Sequence, residues 1–301
     1  MAVAGFVTAN ESASLKETLL FAFKTNSEGT PEYKGMGFNE VTSDDAYEEM
    51  VEYAGFGPAP VKEQLAQMAV DVVQQGYTKR ITQVAYAVMM PVSEEAIRFN
   101  KYKEAIDGAG SIAESLRLRV EYLVADIFAN AFDATNFAGP DGASLCSTTH
   151  KLIRGGNYST RLATDASLSE TALETVITQC RKMPGSHGYP VGIMPKRVIG
   201  PPDLEFEAKR ILKSDKQNDT MNNAINAVKD EGIVWKGNRF MASTTNWFVG
   251  TSAKKGGYII WTQKAEFRDY GVNAQRAQVY DGYEMLGVDV VDPRGFIGSN
   301  I

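Results

Sequence analysis

Cysteine and histidine are nearly absent from this 301-residue chain, which holds two of each. Cys146 and Cys180 form no C-x-x-C and no disulfide framework, a pattern that suits assembly in a reducing cytoplasm. Positive charge is also scarce: 31 Lys and Arg against 37 Asp and Glu leave a formal net charge of −6. A protein that grips nucleic acid by neutralising phosphates needs the opposite balance, at least locally. An acidic chain can still enclose DNA without binding it. No window approaches eighteen consecutive apolar residues, and the opening "MAVAGFVTANESASLKETLLFAF" has no basic n-region, so neither a membrane span nor a signal peptide is predicted and a soluble chain is expected. Fixed-period repeats, heptads and low-complexity blocks are missing as well.

What is present describes a folded protein. Hydrophobic residues make up 44% and charged residues 23%, near the globular average, and the length allows one elaborate domain or two ordinary ones. Residues 1–48 combine a short apolar patch, Leu19 to Phe23, with polar sequence of no sustained period, which reads as an extended arm. "EYAGFGPAPVKEQ" follows, with Gly55, Gly57, Pro58 and Pro60 barring a helix or a central strand. Then comes "GYTKRITQVAYAVMMPVS", residues 76–93, which reads as one very long strand. Its first half is polar or basic, with Lys79, Arg80, Thr82 and Gln83. Its second half, Val84 to Val92, is apolar on both faces, the pattern of a strand anchored in a core. The first half then runs roughly 20 Å out of that core at about 3.3 Å per residue. A solitary ribbon is marginally stable in water, so such an extension rests on another subunit or is an ordinary surface hairpin.

"SEEAIRFNKYKEAID" has helical character, and the strongest helix follows, residues 111–133. Ser111 and Glu114 stand at capping-box spacing; Ile112, Leu116, Val120, Leu123, Ile127 and Ala131 make one apolar stripe, widened by Leu118, Tyr122, Ala125 and Phe132. The twenty-two residues from Ser111 to Phe132 make a rod of about 33 Å. A Gly-, Ser- and Asn-rich connection from about 134 to 164 marks a domain boundary. Beyond it Ser167 and Glu170 suggest a second capping box, Pro201-Pro202 opens another helix, and "KRVIG", "GIVWKG", "NWFVGT" and "GYIIWTQKAEF" read as strands. "QRAQVYDGYEMLGVDVVDP" is a last long strand, able to pair with Val84 to Val92.

Chemistry is hard to find. "GAGSIA", Gly108 to Ala113, fits a dinucleotide fingerprint, but what precedes it is charged and helical instead of a buried strand. Ser186 and His187 are sequence neighbours and cannot serve each other as nucleophile and base. Cys146, His150, Cys180 and His187 lack finger spacing, and Cys180 shares an apolar face with Leu173, Val176 and Ile177. Glu205 and Glu207, like Asp44 and Asp45, read as solvated charges, and Lys254 to Gly257 reads as a turn. Trp235, Trp247 and Trp261 sit in strand-like runs without interleaved basic residues, as core and not as a stacking platform. No catalytic residue, cofactor or metal is expected, and the chain does not read as an enzyme.

The stretches "AGFGPAP" (54–60), "GYTKRITQVAYAV" (76–88), "RLATDASLSETALE" (161–174), "PPDLEFEAKRILKS" (201–214), "NWFV" (246–249) and "DPRGFIGS" (292–299) resemble, in the same order, the major capsid proteins of tailed bacteriophages. The likeness is to the Mu-like major head subunit family, over roughly residues 45–299. That family is similar in turn to capsid proteins of the Hong Kong 97 type. The resemblance implies an α+β subunit with an N-terminal arm (1–48), an extended loop built as a β-hairpin (49–82), a peripheral domain (83–139 and 271–301) on a spine helix (111–133), and an axial domain (140–270). It implies a head protein whose identical subunits form hexamers and pentamers of an icosahedral shell around double-stranded DNA, assembled in the host cytoplasm and retained in the virion. A separate scaffold protein, a portal and a decoration protein are the implied partners; no membrane is. Some relatives carry a helical scaffolding segment of their own, for which this chain has no room, so a separate scaffold or prior cleavage is expected. Lys62 lies where a loop-tip lysine would be in relatives that crosslink lysine to asparagine, although no bond is inferred from position alone. Lys79 and Arg80 are expected to meet acidic surface on an adjacent subunit. The competing readings are an enzyme with a mixed domain near 165–270, an encapsulin-like compartment, and another phage structural protein such as a tail component.

Overall fold

The computed structural model describes residues 9–27, 31–65, 67–99, 102–216, 225–273 and 275–301. Its helices are α1 (Ala9–Ser27), α2 (Glu94–Arg98), α3 (Tyr102–Ala129), α4 (Glu170–Lys182) and α5 (Glu205–Lys213). Its strands are β1 (Phe38–Thr42), β2 (Tyr47–Ala54), β3 (Gln74–Thr82), β4 (Val84–Ser93), β5 (His150–Lys151), β6 (Asn157–Tyr158), β7 (Pro195–Gly200), β8 (Val234–Gly237), β9 (Trp247–Thr251), β10 (Gly257–Val272), β11 (Ala277–Val290) and β12 (Phe296–Ser299). Two four-stranded sheets carry the body, in the orders β1-β10-β11-β4 and β12-β9-β7-β8, and β2 and β3 form a separate two-stranded ribbon.

The first departure from expectation is the arm. Residues 9–27 are helical, not extended, because Leu15, Leu19 and Phe23 recur every four residues and bury one stripe against α3 and the first sheet. Phe23 meets Phe267 of β10 with ring centroids 5.5 Å apart.

The spine helix is longer than its pattern suggested. It begins at Tyr102, so Ser111 is no cap: its hydroxyl donates back to the Asp107 carbonyl at 2.9 Å, as serine does within a helix. Twenty-eight residues extend about 42 Å. The glycines of "GAGSIA" are explained by close packing. A side chain at Gly108 would collide with Met90 of β4, and one at Gly110 would stand 2.7 Å from Asn26 of α1. Of the widened stripe, Tyr122 is exposed.

The long strand is in fact two strands. β3 pairs antiparallel with β2 from Tyr47↔Thr82 to Ala54↔Gln74, whereas β4 pairs antiparallel with β11 from Val84↔Leu286 to Ser93↔Ala277, as the sequence suggested for that partner. Gln83 joins them. However, β4 is not buried on both faces. It is the outermost strand of its sheet, with Met89 62% and Val88 39% exposed.

The domain bounds shift for a related reason. β10, placed by its position in the axial part 140–270, pairs with β11 and with β1 in the first sheet; β12, placed by position in the peripheral part 271–301, pairs with β9 in the second. The chain crosses between the sheets at both points. The aromatic cluster of Phe38, Phe128, Phe248 and Phe296 fills the junction, with centroids 5.0–6.0 Å apart. In the second sheet α4 is capped by Ser169, not Ser167; its hydroxyl accepts from Ala172 N at 3.2 Å. Val176, Ile177 and Cys180 then face β7 and β9.

Candidate assembly surface

The ribbon is seated along its own subunit for its whole paired length. At its base, Ile81 and Met50 pack on Ile260, Val291 and Tyr258. Midway, Lys79 Nζ donates to the Ala138 carbonyl at 2.8 Å and meets Asp289 at 3.1 Å, over the ring of Phe137. Burial pushes the Asp289 carboxyl above the usual range even against that ammonium. Glu52 accepts from Arg294 at 3.0 Å and from the Ser186 hydroxyl. Toward the tip, Asp71 takes a bidentate grip from Arg154, at 3.0 and 3.2 Å, and Arg154 also donates to the Val72 carbonyl at 2.9 Å. Arg154, first among several donors, holds the Asp71 carboxyl below its ordinary value.

Arg294 is the residue that sequence reasoning passed over. Only 4% exposed, it donates through Nε to the Pro184 carbonyl at 3.0 Å and through Nη1 to Glu52 and Asp292 at 3.0 and 3.1 Å, with its guanidinium 4.3 Å from the Tyr158 ring centroid. One buried fork therefore ties the ribbon, the loop after α4 and the chain's last strand together. Burial pushes the Asp292 carboxyl up, and Arg294 opposes it. The signal was present in "DPRGFIGS": a charged residue between proline and glycine in an apolar run.

Of the three residues singled out for contact with a neighbour, only two face outward. Lys79 is engaged within its own subunit, by the Ala138 carbonyl and Asp289. Arg80 pairs across the ribbon with Glu49 at 2.8 Å and stacks on Tyr47, yet stays half exposed. Lys62 is exposed in the unpaired loop 55–73. The same loop presents Phe56, Val61, Leu65, Met68, Val70 and Val72, all more than half exposed. Together with the exposed residues of β4, they leave more apolar area open than soluble monomers usually show.

The catalytic decoys are dispersed or enclosed. Cys146 lies in the junction core and Cys180 in the core under α4, and burial pushes both thiols up, that of Cys180 to about 12. His187 Nδ1 accepts from Tyr189 N at 3.1 Å, and Ser186 is engaged with Glu52. His150 was missed as a structural group. Its Nδ1 lies 2.8 Å from Asp141 and its Nε2 2.8 Å from Thr160 Oγ1, and all three side chains are buried. Burial raises the Asp141 carboxyl, but bonds from His150, Lys151 N and Ala143 N outweigh it and hold it below the ordinary value. Thr160 in turn donates to the Leu145 carbonyl at 2.8 Å, so the line is a buried brace for the 138–160 connection. Among the described residues no three His, Cys, Asp or Glu side chains converge to hold a metal, and no helix is long and apolar enough to cross a membrane.

One acidic group stands apart. Glu284 of β11 faces α3 opposite a bulge in β10, and its Oε1 is buried without a hydrogen-bond donor. Burial pushes its carboxyl up to about 7 against the pull of Arg119.

Comparison with known proteins settles what this arrangement is. Residues 76–299 match a protein family described as phage capsid protein. The chain belongs to that family. It is a phage major capsid protein with the Hong Kong 97-type fold. Among solved structures it is similar to the procapsid of bacteriophage JBD30 (TM-score 0.56, 10% identity, 98% of this chain and 76% of that chain). It is also similar to a virus-like particle from Pyrococcus furiosus (0.54, 11%, 94% and 98%) and to the SrpI encapsulin of Synechococcus elongatus (0.53, 9%, 89% and 86%). No curated protein sequence matches it. Identical subunits are the partners of this capsid protein.

Proposed function

We propose that this capsid protein closes into an icosahedral shell of hexamers and pentamers around packaged double-stranded DNA, in the host cytoplasm and then in the virion. The observation that carries this is the apolar surface of β4 and loop 55–73, left open on a subunit whose core is otherwise complete. Head-to-tail contacts between such surfaces generate closed rings, and rings of six and five close a shell. Obligate interfaces of this kind bury on the order of 2,000–5,000 Å². The net charge of −6 suits a container in which DNA slides without sticking. The arm 1–48 as an assembly element, a separate scaffold protein, a portal and a decoration protein belong to the same reading.

Lys62 and Arg80 are the cations we assign to a neighbour's surface. Charge reversal at Lys79 would set a carboxylate beside Asp289 within the subunit, so it is not the informative variant. Lys62→Glu combined with Arg80→Glu is: shell formation at the normal yield would reject the assignment. The encapsulin likeness supports a second reading, a compartment for a cargo protein. Electron microscopy of the expressed protein, with and without its scaffold, checks both. Closed shells are expected; open tubes or monomers would refute the first reading, and shells loaded with a cargo protein instead of DNA would favour the second.

A further inference from the structure

Two motifs that carried no chemistry in the sequence meet in the fold. Ser186-His187 and Lys254-Lys255 line one cavity of about 630 Å³, together with Tyr53 of β2, Ser252, Asp292 and Arg294. Its walls are fixed by backbone hydrogen bonds. Residues 185–189 close as a tight turn, with Gly185 N donating to the Tyr189 carbonyl and Gly188 N to the Gly185 carbonyl, both at 2.8 Å. Gly188 stands at φ 87°, a conformation that glycine takes readily and other residues rarely. The turn between β9 and β10 is pinned from the end of β11: Val291 N and Asp292 N donate to the Gly256 and Lys255 carbonyls at 3.0 and 2.9 Å. Ser252 ties the two walls to each other, since its N donates to the Met194 carbonyl at 2.8 Å and its hydroxyl accepts from Met194 N at 3.0 Å.

Acceptors in this cavity are engaged, whereas donors are left over. The carboxylates of Asp292 and Glu52 are held by Arg294, and Ser186 donates to Glu52 as well. Lys254 and Lys255 pair with no carboxylate among the described residues; Lys255 Nζ reaches only the Val51 carbonyl, at 3.4 Å. His187 Nδ1 accepts from Tyr189 N, which puts the proton of the neutral ring on Nε2 as a donor. The Ser252 hydroxyl, already an acceptor, has its own hydrogen to give. Two ammonium groups, an imidazole N–H and a hydroxyl thus border one space in a chain whose net charge is −6. That surplus calls for an anion. A flat carboxylate is best met by the planar fork of an arginine, and the one guanidinium here is already committed to Glu52 and Asp292. Separate donors around a bowl suit a tetrahedral oxyanion, on which lysine acts as a point charge.

We infer that this cavity binds a phosphate group, inorganic or on a small phosphomonoester, with Lys254 and Lys255 as its cations and His187 Nε2 and the Ser252 hydroxyl as its neutral donors. The volume lies in the range of small-molecule sites and leaves room for an organic body beside Tyr53. A DNA duplex is too broad to enter it. The bound anion would join the ribbon, the loop after α4 and the β9–β10 turn, three segments that meet only here.

Isothermal titration calorimetry of the full chain at constant ionic strength tests this, with inorganic phosphate, glycerol 3-phosphate and acetate as probes. Saturable binding of a phosphate probe is expected, about tenfold or more tighter than acetate. Lys254→Ala combined with Lys255→Ala should weaken it by about tenfold or more, Ser252→Ala by a few fold, and Lys254→Arg with Lys255→Arg should restore it. Both lysines are exposed, so an unchanged melting temperature without ligand shows that the double variants are folded. Which of the two phosphate probes binds more tightly names the source that the cavity takes. No saturable binding of either, binding that survives the double alanine substitution, or acetate bound as tightly as phosphate would overturn the inference. Displacement of the phosphate by a short DNA duplex would overturn it too, by assigning the lysines to the DNA backbone.

Discussion

Two apolar strands of this capsid protein look alike in sequence and meet opposite fates. β9, "WFVGT", is buried at every position between β7 and β12, with Trp247 and Phe248 at the centre of two cores. β4, "VAYAVMMPVS", is as apolar and twice as long, yet it stands at the sheet's edge with most of its residues exposed. A run of apolar residues states that a strand must be covered. It does not state by which chain. In β9 the cover is the subunit's own, and in β4 no described strand covers the outer edge.

Substitutions in the two strands should therefore separate stability from assembly. The largest effect is expected from Phe248→Ala, which opens a cavity among Phe128, Phe132 and Phe296: a loss of about 3–5 kcal/mol in denaturant unfolding of the isolated subunit. Arg294→Met should follow at about 3 kcal/mol, because Asp292 and Glu52 lose the guanidinium that answers them. Its second signature, release of the ribbon, is checked by faster hydrogen exchange in β2 and β3.

Glu284→Gln runs the other way. A carboxyl whose folded pKa is raised from 4.5 to about 7 favours the folded state most at low pH, and that contribution is lost as pH rises between those two values. The titratable and charged groups facing it are Tyr33, Lys34, Glu40, Arg117, Arg119 and Lys264. Wild-type stability should accordingly fall across that window, and Glu284→Gln should flatten the curve and gain up to about 3 kcal/mol at pH 8. Urea midpoints at pH 4.5, 6 and 8 decide it. An equal effect of the substitution at all three would show that the carboxyl does not titrate there.

Smaller effects test the exposed side. Arg80→Ala removes a half-exposed cross-strand pair and should cost less than about 1 kcal/mol in the isolated subunit. Met89→Lys, on an exposed position of β4, should stay within about 0.5 kcal/mol, the smallest change of the set. A large loss of monomer stability from Met89→Lys would erase the distinction between β4 and β9.

Much of this fold was legible in the sequence, for local reasons. The ribbon showed itself through Gly and Pro at one end and the change at Gln83; the spine helix through its stripe; α5 through Pro201-Pro202; and the pairing of β11 with β4 through two long apolar strands in need of partners. What was misread depended on remote neighbours. Residues 9–27 looked like an arm because Leu15, Leu19 and Phe23 make a weak stripe in nineteen residues until α3 lies beneath it. Lys79 looked like a free cation because Asp289, its partner, is 210 residues away. Arg294 drew no reading of its own, because only folding brings Glu52 and Pro184 to it.

By itself the chain of residues determined most of the segments that become helix or strand, since periodicity acts over a few residues, and it carried the stretches by which its family shows. Tertiary structure alone decided which apolar strand is central and which is an edge, because that depends on how many neighbours the topology supplies on each side. It likewise decided which charges are matched at home and which remain for a neighbour, because Coulomb attraction acts over a few ångströms of space regardless of separation along the chain.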